Sequence, residues 1–355
     1  MKSQSIPPLQ IFILLATAAF CFGAPANPAP LSDKKDVKLL VFGASWSHGI
    51  IEDFPEISAA AGKKVEVRCM RIAGLKNYLK AIELAETSPD DPKSWVHLET
   101  DYKADVRVKD ELLSKPWDMV VIQRNSLADK DADEAVATAG KLIAFIKKQA
   151  PKAKIGIYQT HAYRGDSELL PQVIPKGWPS GKPFTEHDSW EATRALCQKI
   201  AKDNHILLIP VGDAFENVCK DKQWGWTAPD PKFDYKNPSR TGSPETEKNS
   251  LVIGFRWLPE EKTDKDGRIH KVDDHPNNLG RYLYGAVFYE SLFGDTVVGN
   301  SYIPKASPGK NAAKGSDFDT ALDKPATPER IRSLQNVAHE AVSESSKENE
   351  YEHIQ

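Results

Sequence analysis

The apolar positions of this chain follow two alternating rhythms. Short, nearly continuous or alternating apolar runs read as strands at Val37–Phe42, Lys64–Ile72, Trp117–Gln123, Lys154–Gln159 and Ile206–Pro210. Between them lie longer segments whose apolar residues share a helical face: Ile50–Ala61, Leu75–Glu86, Ala132–Gln149 and Asp188–Asp203. In the second of these, Leu75, Tyr78, Leu79, Ile82 and Leu84 form roughly one stripe. Pro151 ends the third. Trp95–Tyr102 reads as an extra short strand. Strands alternating with helices predict a parallel sheet covered by helices. The expected fold is α/β, a three-layer α/β/α sandwich with a mostly parallel five-stranded sheet, flavodoxin-like in outline.

The rhythm fades from Lys220 to Lys271, where Trp224, Trp226 and Trp257 stand among prolines and charges. Only Leu251–Ile253 looks strand-like there. So long an irregular stretch reads either as a lid or binding loop, with tryptophans walling a substrate, or as a surface insertion without a role. Regularity returns at Asn278–Phe293, a strongly amphipathic helix. Thr327-Pro328-Glu329 is a helix start, with threonine as cap and proline in the first turn, and the helix is expected to run to about Ser343. The polar tail after Ser345 reads as disordered. The chain thus divides into residues 1–26, a principal domain over 36–295 with an insertion at 220–271, and an extension over 296–355.

With 355 residues and 40% hydrophobic content, the chain can bury a large core. A net charge of −3 with no basic stripe argues against nucleic acid as a partner. Residues 1–26 are set aside as a signal peptide: Lys2 is their one charge, Ile11–Phe22 is an apolar run of signal length, and Ala24-Pro25-Ala26 fits a cleavage site. Phe20 before Cys21 is too bulky for lipoprotein processing. The expected location is secreted or periplasmic, with no membrane span after cleavage; an uncleaved anchor is the alternative. Cys69, Cys197 and Cys219 then remain, an odd number. Cys197 and Cys219 are close enough in sequence to bridge, and three buried thiols is the other reading. No cysteine or histidine spacing suggests zinc, so neither metal nor organic cofactor is expected.

Two short segments carry candidate chemistry. Val37–Phe42 runs into Gly43-Ala44-Ser45-Trp46-Ser47-His48-Gly49, which puts Ser45 where a buried strand gives way to a turn. Strand carboxyl ends are where open α/β sheets bind ligands. Ser45 is either a nucleophile there or, like Ser47, a helix cap. Asp273-Asp274-His275-Pro276-Asn277 offers an imidazole beside two acids. A serine nucleophile needs such a base, held in one tautomer by a carboxylate.

Together these segments resemble the SGNH (GDSL-type) hydrolase superfamily over about residues 37–295. There a Gly-x-Ser block carries the nucleophile and a late Asp-x-x-His block carries acid and base. Ile72-Ala73-Gly74-Leu75 resembles the block that offers a glycine N–H to the oxyanion hole, and Trp117–Ser126 the block that supplies an amide side chain. The resemblance implies Ser45, Gly74 and Gln123 or Asn125 as oxyanion donors, with Gln123 preferred because it ends the apolar run. Three departures stand out: Ala44 precedes the serine, the Gly-x-Asn-Asp block is absent, and Val272 stands three residues before His275 where the family's acid normally lies. Asp273 must then orient His275 from a shifted position, or Asp274 must.

His48 and His161 follow strand ends and read as pocket-lining or structural residues; with Trp46 they are candidates for substrate contact. Asp213 is a third possible acid or a helix cap. The reading is an exported serine ester hydrolase, with Ser45, His275 and Asp273 catalytic, acting on an acylated carbohydrate or small ester. The displaced acid motivates a second, non-catalytic carbohydrate-binding reading. A metal-dependent hydrolase using His48, His161, His270, Asp273, Asp274 and His275 is a third.

Overall fold

In the computed structural model the described residues are 31–100, 104–221, 224, 230–237, 249–257, 270–304 and 324–351. The first strand, β1 (Asp36–Gly43), sets the architecture. Val37, Leu39 and Val41 enter one apolar core, and Leu40 and Phe42 enter another on the opposite face. This is the two-residue period of a strand buried on both sides.

Along the chain follow α1 (His48–Ala60), β2 (Lys64–Arg71), α2 (Leu75–Thr87), β3 (Val96–Leu98), β4 (Asp105–Val106), α3 (Val108–Leu113), β5 (Met119–Gln123) and α4 (Ala132–Gln149). Then come β6 (Lys154–Tyr158), α5 (Glu186–Asn204), β7 (Leu207–Ile209), α6 (Val211–Lys220), β8 (Val252–Trp257), β9 (His270–Pro276), α7 (Asn278–Phe293) and α8 (Pro328–Tyr351).

One sheet has the order β4-β3-β2-β1-β5-β6-β7. Neighbours from β2 to β7 pair in parallel, while β3 and β4 pair antiparallel at the edge. Helices α1, α6, α7 and α8 cover one face, and α2 to α5 the other. The architecture is the expected three-layer α/β/α sandwich with a mostly parallel sheet, but the sheet has seven strands, not five. The five anticipated strands are its parallel members. β3 lies within the extra short strand expected at Trp95–Tyr102, and β4 spans two residues, too short to show a period in sequence.

β2 lies on one side of β1 and β5 on the other. The crevice between the carboxyl ends of β1 and β5 is therefore the topological switch point, the place where such sheets hold ligands. A second, two-stranded sheet joins β8 and β9 antiparallel. It delivers Asp273-Asp274-His275 as part of a strand.

Pro276 ends β9, and Asn277 starts α7. Asn277 Oδ1 accepts from the Leu279 and Gly280 N–H groups, while its Nδ2 donates to the carbonyls of Ser250 and Val252. One side chain thus caps α7 and holds the strand beside it. Gly280 makes this approach feasible, since a Cβ there would lie 2.1 Å from the Leu251 carbonyl oxygen.

The carboxyl-terminal extension contains part of the core. Ile331, Leu334, Val337, Ala338 and Ala341 of α8 are buried in the cluster of α6 and α7. The helix continues to Tyr351, past the expected stop near Ser343 and through the start of the expected disordered tail. Cys69, Cys197 and Cys219 are free thiols, so the Cys197–Cys219 bridge is not formed. Trp224 is buried, its Nε1–H donating to Ser333 Oγ at 2.9 Å, so it anchors α8 instead of walling a substrate. Trp226, the Trp257 side chain and residues 1–26 lie outside the described residues. No helix among the described residues is long and apolar enough to cross a membrane.

Candidate active site

Beyond β1 the chain makes a single 3-10 turn, Ser45–Ser47. Trp46 and Ser47 are buried in it, and Ser45 stays partly exposed. Neither serine caps a helix through its side chain. Ser47 turns inward over Gly43, where a Cβ would lie 2.2 Å from its Oγ. Ser45 borders a cleft of about 400 Å³ at the switch point.

Gln123 ends β5 on the other side of the crevice. Its Oε1 accepts hydrogen bonds from the Ala44 N–H at 2.6 Å, the Tyr158 hydroxyl at 2.5 Å and the Ser47 hydroxyl at 3.2 Å. A backbone N–H can only donate, so this contact fixes which end of the amide is oxygen. Nε2 is left over as a donor, with no partner among the described residues, and Gln123 borders the cleft. Asn125 is arranged similarly: Oδ1 accepts from the Leu127 and Ala128 N–H groups at 3.0 and 3.1 Å, which leaves Nδ2.

The β8–β9 sheet brings the imidazole. His275 Nδ1 lies 2.5 Å from Asp273 Oδ1, which also accepts the His275 backbone N–H at 3.0 Å. Asp273 is buried, while the His275 side chain is 40% exposed, so Nε2 is the nitrogen left for chemistry. Asp274, one residue along the strand, points the other way. Its carboxylate accepts from the Arg164 N–H at 2.9 Å and the Ser167 hydroxyl at 2.6 Å. Burial pushes its pKa up to about 6. Of the two acids, Asp273 is therefore the one on the imidazole. Asp274 anchors the β6–α5 connection.

Trp46 borders the cleft and stacks on His161 at 4.2 Å and against Tyr163 at 4.8 Å. His161, a candidate for substrate contact, lies beneath it. It is 2% exposed, and its ring nitrogens meet the Tyr284 hydroxyl and the Asp274 carbonyl, each at 2.8 Å. Burial depresses its pKa to about 3, so it is a neutral structural strut. His48 is also set back from the cleft. Its Nε2 lies 3.6 Å from Glu99, and burial lowers its pKa more than Glu99 and Glu52 raise it. Gly74 begins α2 against Ala128, and its neighbour Ala73 borders the cleft in its stead. Asp213 neither caps α6 nor reaches His275; it accepts from Gln159 and Trp190, both at 2.9 Å. No group of three or more His, Cys, Asp or Glu is placed to hold a metal ion among the described residues.

The cleft thus brings together Ser45, Trp46, Gln123, Asn125, Asp273 and His275. It also contains residues the sequence reading passed over: Arg71, Arg124, Thr160 and Tyr163. Their one sequence signal is position, at or just beyond the ends of β2, β5 and β6.

No protein-family profile matches the chain, and no curated protein does. Solved structures do resemble it. A DUF4886 family protein from Bacteroides uniformis superposes with a TM-score of 0.55 at 18% identity, covering 88% of this chain and 96% of that one. At that identity the likeness is one of fold. Looser likenesses extend to a provisionally assigned SGNH hydrolase from Slackia heliotrinireducens (TM-score 0.39, 17% identity, 73% of this chain and 98% of that one). They also extend to a family two carbohydrate esterase from Cellvibrio japonicus (TM-score 0.24, 14% identity, 51% of this chain and 64% of that one).

Proposed function

We propose that this protein is a serine ester hydrolase. The observation that carries the reading is the Asp273–His275 pair, 2.5 Å apart, in one cleft with Ser45. Ser45 Oγ attacks the ester carbonyl and passes its proton to His275 Nε2. Asp273 holds Nδ1–H and balances the imidazolium charge. The oxyanion is received by the Ser45 N–H and Gln123 Nε2, with Asn125 Nδ2 within the same cleft. Collapse of the tetrahedral intermediate breaks the bond to the alcohol, which takes the proton from Nε2. Water, deprotonated by the same nitrogen, then releases the acid from Ser45. Gly74 has no part in this reading, because Ala73 borders the cleft in its place.

A second reading is a binding protein without turnover. It is favoured by the Ser45 hydroxyl, which makes no hydrogen bond among the described residues; resting active sites are often loose in this way. Export of the chain, from the character of residues 1–26, and an acylated carbohydrate as substrate belong to the proposal as well.

One experiment separates the two readings. Wild type and His275→Ala are treated with a fluorophosphonate and the adduct is located by peptide mass spectrometry. The hydrolase reading expects an adduct on Ser45 in wild type and its loss in the variant. A folded wild type that stays unlabelled favours the binding protein.

A further inference from the structure

We propose that the ligand of this cleft carries a carboxylate and that the Arg71 guanidinium receives it; that the ligand is an ester rests on the hydrolase reading above. Arg71 ends β2 directly beside Gly43, the last residue of β1, so it flanks the strand that delivers Ser45. Its side chain is 45% exposed and borders the same cleft.

The guanidinium is anchored from behind. Nη1 donates to Glu99 Oε2 at 3.0 Å. Glu99 is buried, and its other oxygen lies 3.6 Å from His48 Nε2. A buried carboxylate held between two basic groups fixes where the arginine stands. The Nε and Nη2 of Arg71 have no partner among the described residues. That edge is the one other arginines of this protein use to grip a carboxylate. Arg68 binds Glu111 through Nε and Nη2 at 2.7 and 3.0 Å, and Arg164 binds Asp166 the same way at 3.0 and 2.9 Å. Two parallel donors on a planar fork match a carboxylate better than a neutral hydroxyl. In Arg71 this fork is pre-set, and part of it is open to solvent.

Strand order gives the direction. From β2 through β1 and β5 to β6, the cleft runs from Arg71 past Ser45 and Gln123 to Tyr163 and Leu169. Arg71 stands at one end and Tyr163 and Leu169 at the other. Arg124, between them, is spent on the Ser126 and Thr193 hydroxyls and the Asp129 carbonyl.

The test compares 4-acetoxybenzoate with its methyl ester, which differ in one negative charge on the alcohol side. Wild type is expected to favour the carboxylate in kcat/KM. In Arg71→Ala that preference is expected to fall about ten- to hundredfold, the usual worth of a hydrogen-bonded charge pair. Arg71→Lys, which keeps a cation against Glu99, guards against loss of folding and should lose part of the preference. A second pair, 4-nitrophenyl hemisuccinate and its methyl ester, places the charge on the acyl side, and ratios unchanged in both variants for both pairs overturn the proposal. If wild type turns over neither acetate, the hydrolase reading fails by itself. Calorimetry of 4-acetoxybenzoate on the Ser45→Ala protein then decides the carboxylate question. Binding that is lost on adding Arg71→Ala sustains it, and absent or Arg71-independent binding overturns it.

Discussion

Asp273 and His275 are joined by a hydrogen bond between positions i and i+2 of a single β-strand. A strand puts such residues on one face and the residue between them on the other. Asp273 can therefore orient the imidazole only because β9 is extended, and Asp274 is excluded from the role by the same geometry. Asp273→Asn is expected to lower kcat by about 10³- to 10⁴-fold, as an amide stabilises the wrong tautomer. Asp274→Asn should leave kcat within a few-fold of wild type. Steady-state kinetics on a 4-nitrophenyl ester reads both, and equal losses would reject the assignment.

Gln123 offers an isosteric test of the oxyanion pocket. Gln123→Glu keeps an acceptor for the Ala44 N–H and for the Ser47 and Tyr158 hydroxyls, and when ionised replaces the Nε2 donor by a negatively charged oxygen that can only accept. The expected loss in kcat is about 10²- to 10³-fold, with little change in melting temperature. A loss of folding without a specific loss of kcat would mean that Gln123 is only a clamp between β1 and β5.

Asp274 makes stability depend on pH in an unusual direction. Burial raises its pKa to about 6, so the folded chain keeps a proton that the unfolded chain gives up near pH 4. Its contribution is complete below about pH 4 and is lost as pH rises through 6. Asn at this position cannot ionise, and its Nδ2 can donate to the Ser167 hydroxyl. Asp274→Asn should therefore gain in melting temperature, relative to wild type, between pH 5 and 7.5. His161, depressed to about 3, works in the opposite direction but is present in both proteins and cancels in the difference. A difference that stays constant with pH would contradict the burial of a proton at Asp274.

Much of the scaffold was legible from sequence where ends are chemically marked. The bounds of α4 and α7 coincide with those read from the pattern. Each has a side-chain cap, Asp131 and Asn277, and a stop, Pro151 and the left-handed Gly294. Ser45 and Gln123 were legible because they follow buried apolar strands. Asp273 was favoured over Asp274 with no local pattern to decide between them, because the choice depends on β9 being a strand. Apart from Val272, that segment has no apolar alternation, and its partner β8 is not adjacent in sequence. His161 misled for a related reason. Its position past β6 is that of a ligand contact, but stacking between Trp46 and Phe215 carries the ring inward. Arg71 and Glu99 meet only through the packing of β2 on β3, which no local pattern announces.

The burial of α8 on α6 and α7 ties the competence of the site to a segment made after every residue of the cleft. A nascent chain that already contains Ser45, Gln123 and His275 still lacks the helix that covers the apolar outer face of α6 and α7. Until Ile331, Leu334 and Val337 have left the ribosome, that face is open to solvent and to other chains. A premature stop shortly after Phe293 would therefore leave every residue of the cleft in place and still yield a sticky, short-lived product.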